Sequence, residues 1–302
     1  MLFIAQTALE LGFAYALVSL ALFLSYRILD IADLTTDGGF VLGMAVSVSC
    51  AASGHPFLGI FAAMAAGAAA GFVTAFLQTR LGVPSILAGI VTNTGLYTVN
   101  LMAMGWTSNI NLLKKETIFT LFKKTGIGGE WYELLLIAVI VILAMILLNW
   151  FLRTRIGLSI RATGDNRAMV KASSINPAFA ITVGLCIANA LTALSGAIVG
   201  QMQKSADING GTGIVVIGLA CLIIGETVIG RRSILRNIIA VLVGSIIYRF
   251  IYAIILKTSI VPIECLKLMT AIIVALAIAM PTLKAYAAFQ KKKMAAARKG
   301  GR

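Results

Sequence analysis

Within seven positions the chain places a carboxylate, an amide and two cations: Asp165, Asn166, Arg167 and Lys171, in the stretch RTRIGLSIRATGDNRAMVKASSIN at 153–176. The chemistry these residues suit is docking rather than bond-making. Asp165 is a natural N-cap, its carboxylate accepting from the first free N–H groups of a helix over about 166–175. Arg167 and Lys171, four apart, share one face of that helix. Ala168, Ala172 and Ile175 form an opposing small apolar stripe, and Asn176 followed by Pro177 supplies a cap and a first-turn proline for the next helix. A short capped helix hung between two membrane spans can take force from a soluble partner. The same residues also read as an ordinary solvated loop, because cytoplasmic loops are routinely basic.

The other polar candidates lie inside apolar runs, where a charge is costly and marks a site by default. Glu10, about a turn from Tyr15, can line a pathway, pair with a cation or sit at the interface. Glu226 stands close to Arg231 and Arg232, which suggests a structural ion pair, and Arg249 is expected to pair with a carboxylate or to snorkel. Thr92, Asn93, Tyr97 and Asn100 recur along one run, Asn189 and Thr192 along another, and such groups either bind a passing solute or bond helices together. Glu10, Asn93, Tyr97 and Asn189 are the candidates for a substrate pathway. Gly67 and Gly71, in GAAAG, allow close helix approach.

Covalent and metal chemistry lack their parts. His55 is the one histidine, beside Pro56 at a turn, and no nucleophile, base and orienting acid recur at useful spacing, so no catalytic or metal residues are assigned. Cys50, Cys186, Cys221 and Cys265 are scattered through apolar segments and read as small core residues. No G-x-x-x-x-G-K-[ST] phosphate loop occurs; Gly210, Gly211 and Gly213 open an apolar run without the lysine and read as a broken-helix turn. No cofactor is expected.

The elements that must position these groups are membrane spans. The 302 residues are 60% hydrophobic and 12% charged, which requires a bilayer as solvent. A span needs about 20 apolar residues, and on that measure spans fall near 3–26, 38–54, 57–79, 83–105, 132–152, 177–203, 213–230, 234–256 and 262–283. The second and seventh are short and glycine-bearing, as re-entrant or broken elements are. The N-terminus lacks a basic n-region and contains Glu10, so it reads as the start of the first span. The formal charge of +14 sits in loops and at the C-terminus, as in a positive-inside membrane protein, and no soluble stretch is long enough to bind nucleic acid. With the C-terminus cytoplasmic, roughly 17 Lys and Arg fall inside and about 7 outside, although lysines near 114–124 work against that orientation. The expected fold is therefore an all-α polytopic integral membrane protein of about 8 to 9 transmembrane helices, a single transmembrane domain over 1–302, with a cytoplasmic loop at 153–176 and a basic cytoplasmic tail at 284–302.

The run GLSIRATGDNRAMVKASSIN resembles the coupling segment of permease subunits of bacterial ABC importers of the branched-chain amino acid and ribose type. Gly157, Arg161, Ala162, Gly164, Asn166, Ala172, Ile175 and Asn176 match its G-x-x-x-R-A-x-G-x-N pattern and alanine-rich helix. Ser174 stands where glycine is usual and Arg167 where proline is frequent. ILDIADLTTDGGFVLG at 28–43 is similar to the segment after the family's first span, and 188–230 resembles the tryptophan or tyrosine permease branch. The resemblance implies a homodimeric channel in the bacterial inner membrane. It also implies a separate ATPase contacted through Arg161, Gly164, Asp165, Asn166, Arg167, Met169 and Lys171, and an extracytoplasmic substrate-binding protein. Amino acids, aromatic ones included, become the implied substrates. The competing reading is a self-sufficient secondary transporter of a small polar solute. That class often shows two alike halves and midplane ion-binding acids; here the halves do not look alike and membrane acids are few.

Overall fold

Apolar runs bounded by proline, glycine and asparagine fold as the helices their composition demands. The computed structural model describes residues 2–113, 115–124, 126, 129–230, 233–258, 268, 270–276 and 279. In chain order the elements are α1 (Leu2–Leu22, continued by π-helical turns over Phe23–Ile28), α2 (Thr36–Ala52), α3 (Pro56–Thr79), α4 (Ser85–Ala103) and β1 (Asn109–Asn111). Then come α5 (Ile118–Lys124), α6 (Tyr132–Phe151), α7 (Arg155–Asp165), α8 (Arg167–Ala172), α9 (Pro177–Gln203), β2 (Ser205–Asp207), α10 (Ile214–Ile229) and α11 (Ile234–Thr258). Among the described residues six helices are long and apolar enough to cross a membrane, and α2 and α10 are shorter apolar helices, at the two places where the sequence suggests short elements. The expected ninth span, 262–283, falls mostly outside the described residues, and the basic tail at 284–302 wholly so.

The centre of the bundle is made by small residues. α2 runs alongside the second half of α9, and a Cβ on Gly43 or Gly196 would overlap the Ala193 or Phe40 backbone. α3 packs antiparallel to α9 in the same way: a Cβ on Gly67 would lie 2.5 Å from the Asn189 carbonyl, and one on Gly71 would strike that of Leu185. The expected close approach at Gly67 and Gly71 is thus made against α9. Hydroxyls and amides then join helices across the contacts, as Ser195 Oγ does to the Ala14 carbonyl (2.7 Å), Ser245 Oγ to that of Gly12 (2.6 Å) and Gln201 Nε2 to Ser47 Oγ (2.8 Å).

Two short strands close one end of the bundle. β1 and β2 pair antiparallel with Ile110 opposite Ala206. The opposite end carries α7 and α8, the arm made from the basic 153–176 stretch.

Candidate functional site

The arm is built from three local caps. Thr154 accepts from Gly157 N (3.3 Å) and starts α7, a helix in place of the expected loop. Asn166 takes extended backbone angles (φ −159°, ψ 101°), which bring its side-chain oxygen onto Ala168 N (3.0 Å) and Met169 N (3.1 Å). The cap of α8 is therefore Asn166 rather than Asp165, which ends α7, and the helix is Arg167–Ala172 rather than 166–175. Asn176 caps α9 through Ala178 N (3.0 Å) with Pro177 in the first turn, as expected.

The exposure of the arm sorts its residues. Asp165, Asn166, Arg167, Met169 and Lys171 are exposed, and Met169 is an uncovered apolar side chain among charges. The expected apolar stripe is not there: Ala168 and Ala172 are exposed, and Val170 is the residue that turns inward, with Ile175 half-buried. Arg161 is half-buried on α7. Gly164 faces the bundle, where a Cβ would overlap the Ile28 carbonyl at the end of the π-helical turns, and a Cβ on Gly157 would overlap the Phe151 carbonyl. The arm therefore rests directly on the ends of α1 and α6.

A second polar group lies in the middle of the bundle. After Ile28 the chain unwinds over 29–35 and re-enters as α2. Asp33, buried, accepts from Thr35 N (2.9 Å) and from Asn189 Nδ2 (2.7 Å). Thr74 donates to the Ala70 carbonyl, so its oxygen is left to accept from Thr35 Oγ1 at 2.8 Å. Asp37, in the first turn of α2, accepts from Gly213 N (3.1 Å) and Val215 N (2.9 Å) and thereby caps α10. Two helix N-termini, with their partial positive charge, thus meet at one carboxylate.

The depth of this junction follows from helix rise. Asp37 lies roughly 22 Å along α2 from Ala52, at 1.5 Å per residue. From the end of α9, then, the chain dips past Met44 and Val41 to reach Gly213, leaving Asn209, Gly210 and Thr212 exposed on the way. The glycine cluster is the broken-helix turn expected from the sequence, with Gly213 at φ 85°. Irregular backbone at membrane depth persists only where protein or a water-filled cavity covers it.

The four pathway candidates do not form one cluster. Asn189 bonds to Asp33, and Asn93 is half-buried with its oxygen against Gly38, so these two flank the first turn of α2. Asn100, buried, donates to the Gly38 carbonyl (3.2 Å). Tyr97 points away from that turn, 51% exposed on the outer face of α4 with Thr94 and Thr98. Glu10 lies buried on α1 and accepts from Gln6 Nε2 (2.9 Å). Sequence reasoning passed over Asp33 and Asp37, although two acids around a Thr-Thr pair and a Gly-Gly pair, set between apolar runs, were a usable signal.

The structural ion pair expected of Glu226 is present with a partner on α1, and the expectation for Arg249 is corrected. Glu226 pairs with Arg27 on α1 at 3.1 Å, while Arg231 and Arg232 lie outside the described residues. Arg249 has no carboxylate partner among the described residues; its guanidinium lies 3.6 Å from the Tyr15 ring centroid. Asp207 is exposed in β2 and accepts from Asn209 N, and His55 is exposed in the α2–α3 turn. A cavity of about 860 Å³ between α3, α6 and α9 is lined by apolar side chains such as Phe61, Met64 and Leu147, a lining suited to hydrocarbon and not to a polar solute. Among the described residues no His, Cys, Asp and Glu group could hold a metal ion.

A bundle of full and half-length spans with a short helical arm at one end defines a multi-pass membrane subunit of the ABC permease class. The chain belongs to the family described as the permease component of branched-chain amino acid transport systems, whose model matches residues 4–280. It is 32% identical over 260 residues to the tyrosine transport system permease protein of Clostridioides difficile, covering 86% of this chain and 85% of that one. An uncharacterized protein of Rickettsia prowazekii is 33% identical over 271 residues, 88% of this chain and 94% of that one. In fold the chain resembles an inward-facing ABC transporter structure described as of metal-chelate type, with a TM-score of 0.52 and 17% identity over 93% of this chain and 85% of that one. Membership in such a permease family implies ATPase and substrate-binding partners.

Proposed function

We propose that the chain is one of two identical permease subunits that import an amino acid, aromatic ones included, through a bacterial inner membrane. ATP is hydrolysed on a separate ATPase, this chain having no nucleotide site of its own, and an extracytoplasmic binding protein delivers the solute. The arm end and the C-terminus face the cytoplasm in this reading, and the β1–β2 end faces outward. Support for an amino acid comes from the family and from the tyrosine permease of C. difficile.

The observation that carries the reading is the arm. Asp165, Asn166, Arg167, Met169 and Lys171 present an exposed capped turn to a soluble partner, and Arg161 and Gly164 hold it against the bundle. Motion of α8 then reaches α1 at Ile28, α10 through the Arg27–Glu226 pair, and α2 through Asp37. The solute path runs where polar groups at membrane depth lack a cover in one chain: Thr94, Tyr97 and Thr98 of α4 with the dip at 209–212. A second copy closes that face. Asn93 and Asn189 act from behind it on the first turn of α2, and Glu10 is the remotest of the four candidates.

The test is reconstitution of the permease with its ATPase and binding protein in proteoliposomes. Uptake should require ATP. Replacing Asp165 and Arg167 together by alanine should lower uptake at least tenfold while hydrolysis continues and the membrane level of the protein is unchanged. Normal uptake by that double variant removes the assignment of the arm.

A further inference from the structure

Among the described residues Arg249, a guanidinium inside the membrane, has no counter-charge, and the coupling path above does not use it. The side chain is 9% exposed, and its Nε has no hydrogen-bond acceptor. What surrounds it is aromatic. The guanidinium lies 3.6 Å from the centroid of Tyr15 and 5.9 Å from that of Tyr252, and Tyr15 in turn stacks on Phe40 at 5.7 Å. Glu10, the acid of α1, is bonded instead to Gln6.

Cation–π contact offsets only part of the cost of keeping such a charge in a bilayer. A planar fork with free donors is complementary to a carboxylate, which can accept two parallel N–H bonds from it. Tyr15 is covered by Arg249 and by Phe40, so Tyr252, half-buried near the guanidinium, is the ring left to meet a flat side chain. Tyr252 is half-buried and Ile251 beside it is exposed, so the group reaches the surface of α11 rather than being sealed inside.

We infer that Arg249, with Tyr15 and Tyr252, is a carboxylate-binding site within the membrane, taking the carboxylate of an amino acid or a related aromatic acid. The ligand class deepens, and rests on, the importer reading; the anion site itself rests on the unpaired guanidinium.

The test is thermal unfolding of the full-length permease in lipid nanodiscs at constant ionic strength. It is titrated with L-tyrosine, with 3-(4-hydroxyphenyl)propionate, which keeps the carboxylate, with tyramine, which lacks it, and with chloride. Both carboxylates should raise the midpoint saturably, and tyramine and chloride should not. Arg249→Gln should weaken the apparent affinity by roughly tenfold or more, as loss of a bidentate charged pair does. Arg249→Lys, which keeps the charge but not the fork, should fall between and serves if the Gln variant does not fold. Three results would overturn the site: no carboxylate-dependent shift in the wild type, an equal shift with tyramine or chloride, or an undiminished shift in both arginine variants. ATP-driven uptake without any such shift removes the site and leaves the importer; a shift without uptake does the reverse.

Discussion

α2 and α6 are both apolar helices near the length of a span, and they sit in opposite surroundings. α6 is leucine- and isoleucine-rich over its whole length, yet it buries only the stripe Ile137, Val141, Ala144 and Leu148. α2 is shorter, carries Gly38, Gly39, Gly43, Thr36 and Ser47, and is buried over almost its whole surface. In water the order would be reversed. In a bilayer, lipid tails solvate leucine as well as protein does, so the strongly apolar helix is left at the periphery. Close packing and hydrogen bonds decide what goes inside, and those need small and polar residues.

That contrast is most severely tested where α2 and α9 touch. Gly196→Leu puts a side chain into the Phe40 carbonyl and must separate the two helices. A destabilisation of about 3 kcal/mol or more is expected, at the upper end of overpacking effects, read as loss of the monodisperse peak in detergent size-exclusion. A folded, active Gly196→Leu protein would mean that the glycine contact is not what holds the centre. A smaller effect is expected at the polar pair: Asp33→Ala leaves the Asn189 amide and the Thr35 N–H without their acceptor, a cost of about 1–3 kcal/mol for each buried group. Asp33→Asn should recover part of it, and thermal midpoints of the two variants check the order. The least effect belongs to α6, where Ile146 is 59% exposed; Ile146→Ala should change stability by no more than about 0.5 kcal/mol. A loss as large as that of Asp33→Ala would place Ile146 in a contact with another chain.

The spans were legible because a bilayer imposes a length. The expected 57–79 and 177–203 coincide with α3 and α9 almost to the residue, since Pro56 and the Asn176–Pro177 pair mark their starts in both sequence and structure. The arm was half legible. A cap at this point was visible and assigned to Asp165, but Asp165 and Asn166 are equally good caps by type, and only the extended backbone at Asn166 separates them. α7 was missed because Arg155, Ser159, Arg161, Thr163 and Asp165 break up its short apolar pattern. The junction was legible only as Asp33 and Asp37 set between apolar runs, not as the meeting of α2 with α9 and α10. Its meaning depends on depth, and depth is a property of how 29–35 unwinds between two helices, which no local pattern records.

The Asp37 cap also carries a schedule. Its partners Gly213 and Val215 are 176 and 178 residues later in the chain, and the Asn189 amide that meets Asp33 is 156 residues later. At 5–20 residues per second, roughly 10 to 35 s of synthesis separate the first acid from its last donor. During that interval α2 stands in or beside the membrane with Asp37 lacking its Gly213 and Val215 donors, while Asp33, bonded to Thr35 N, waits for the Asn189 amide. Whatever shelters it, the insertion machinery or a water-filled site at its edge, must release α2 only after α10 has emerged.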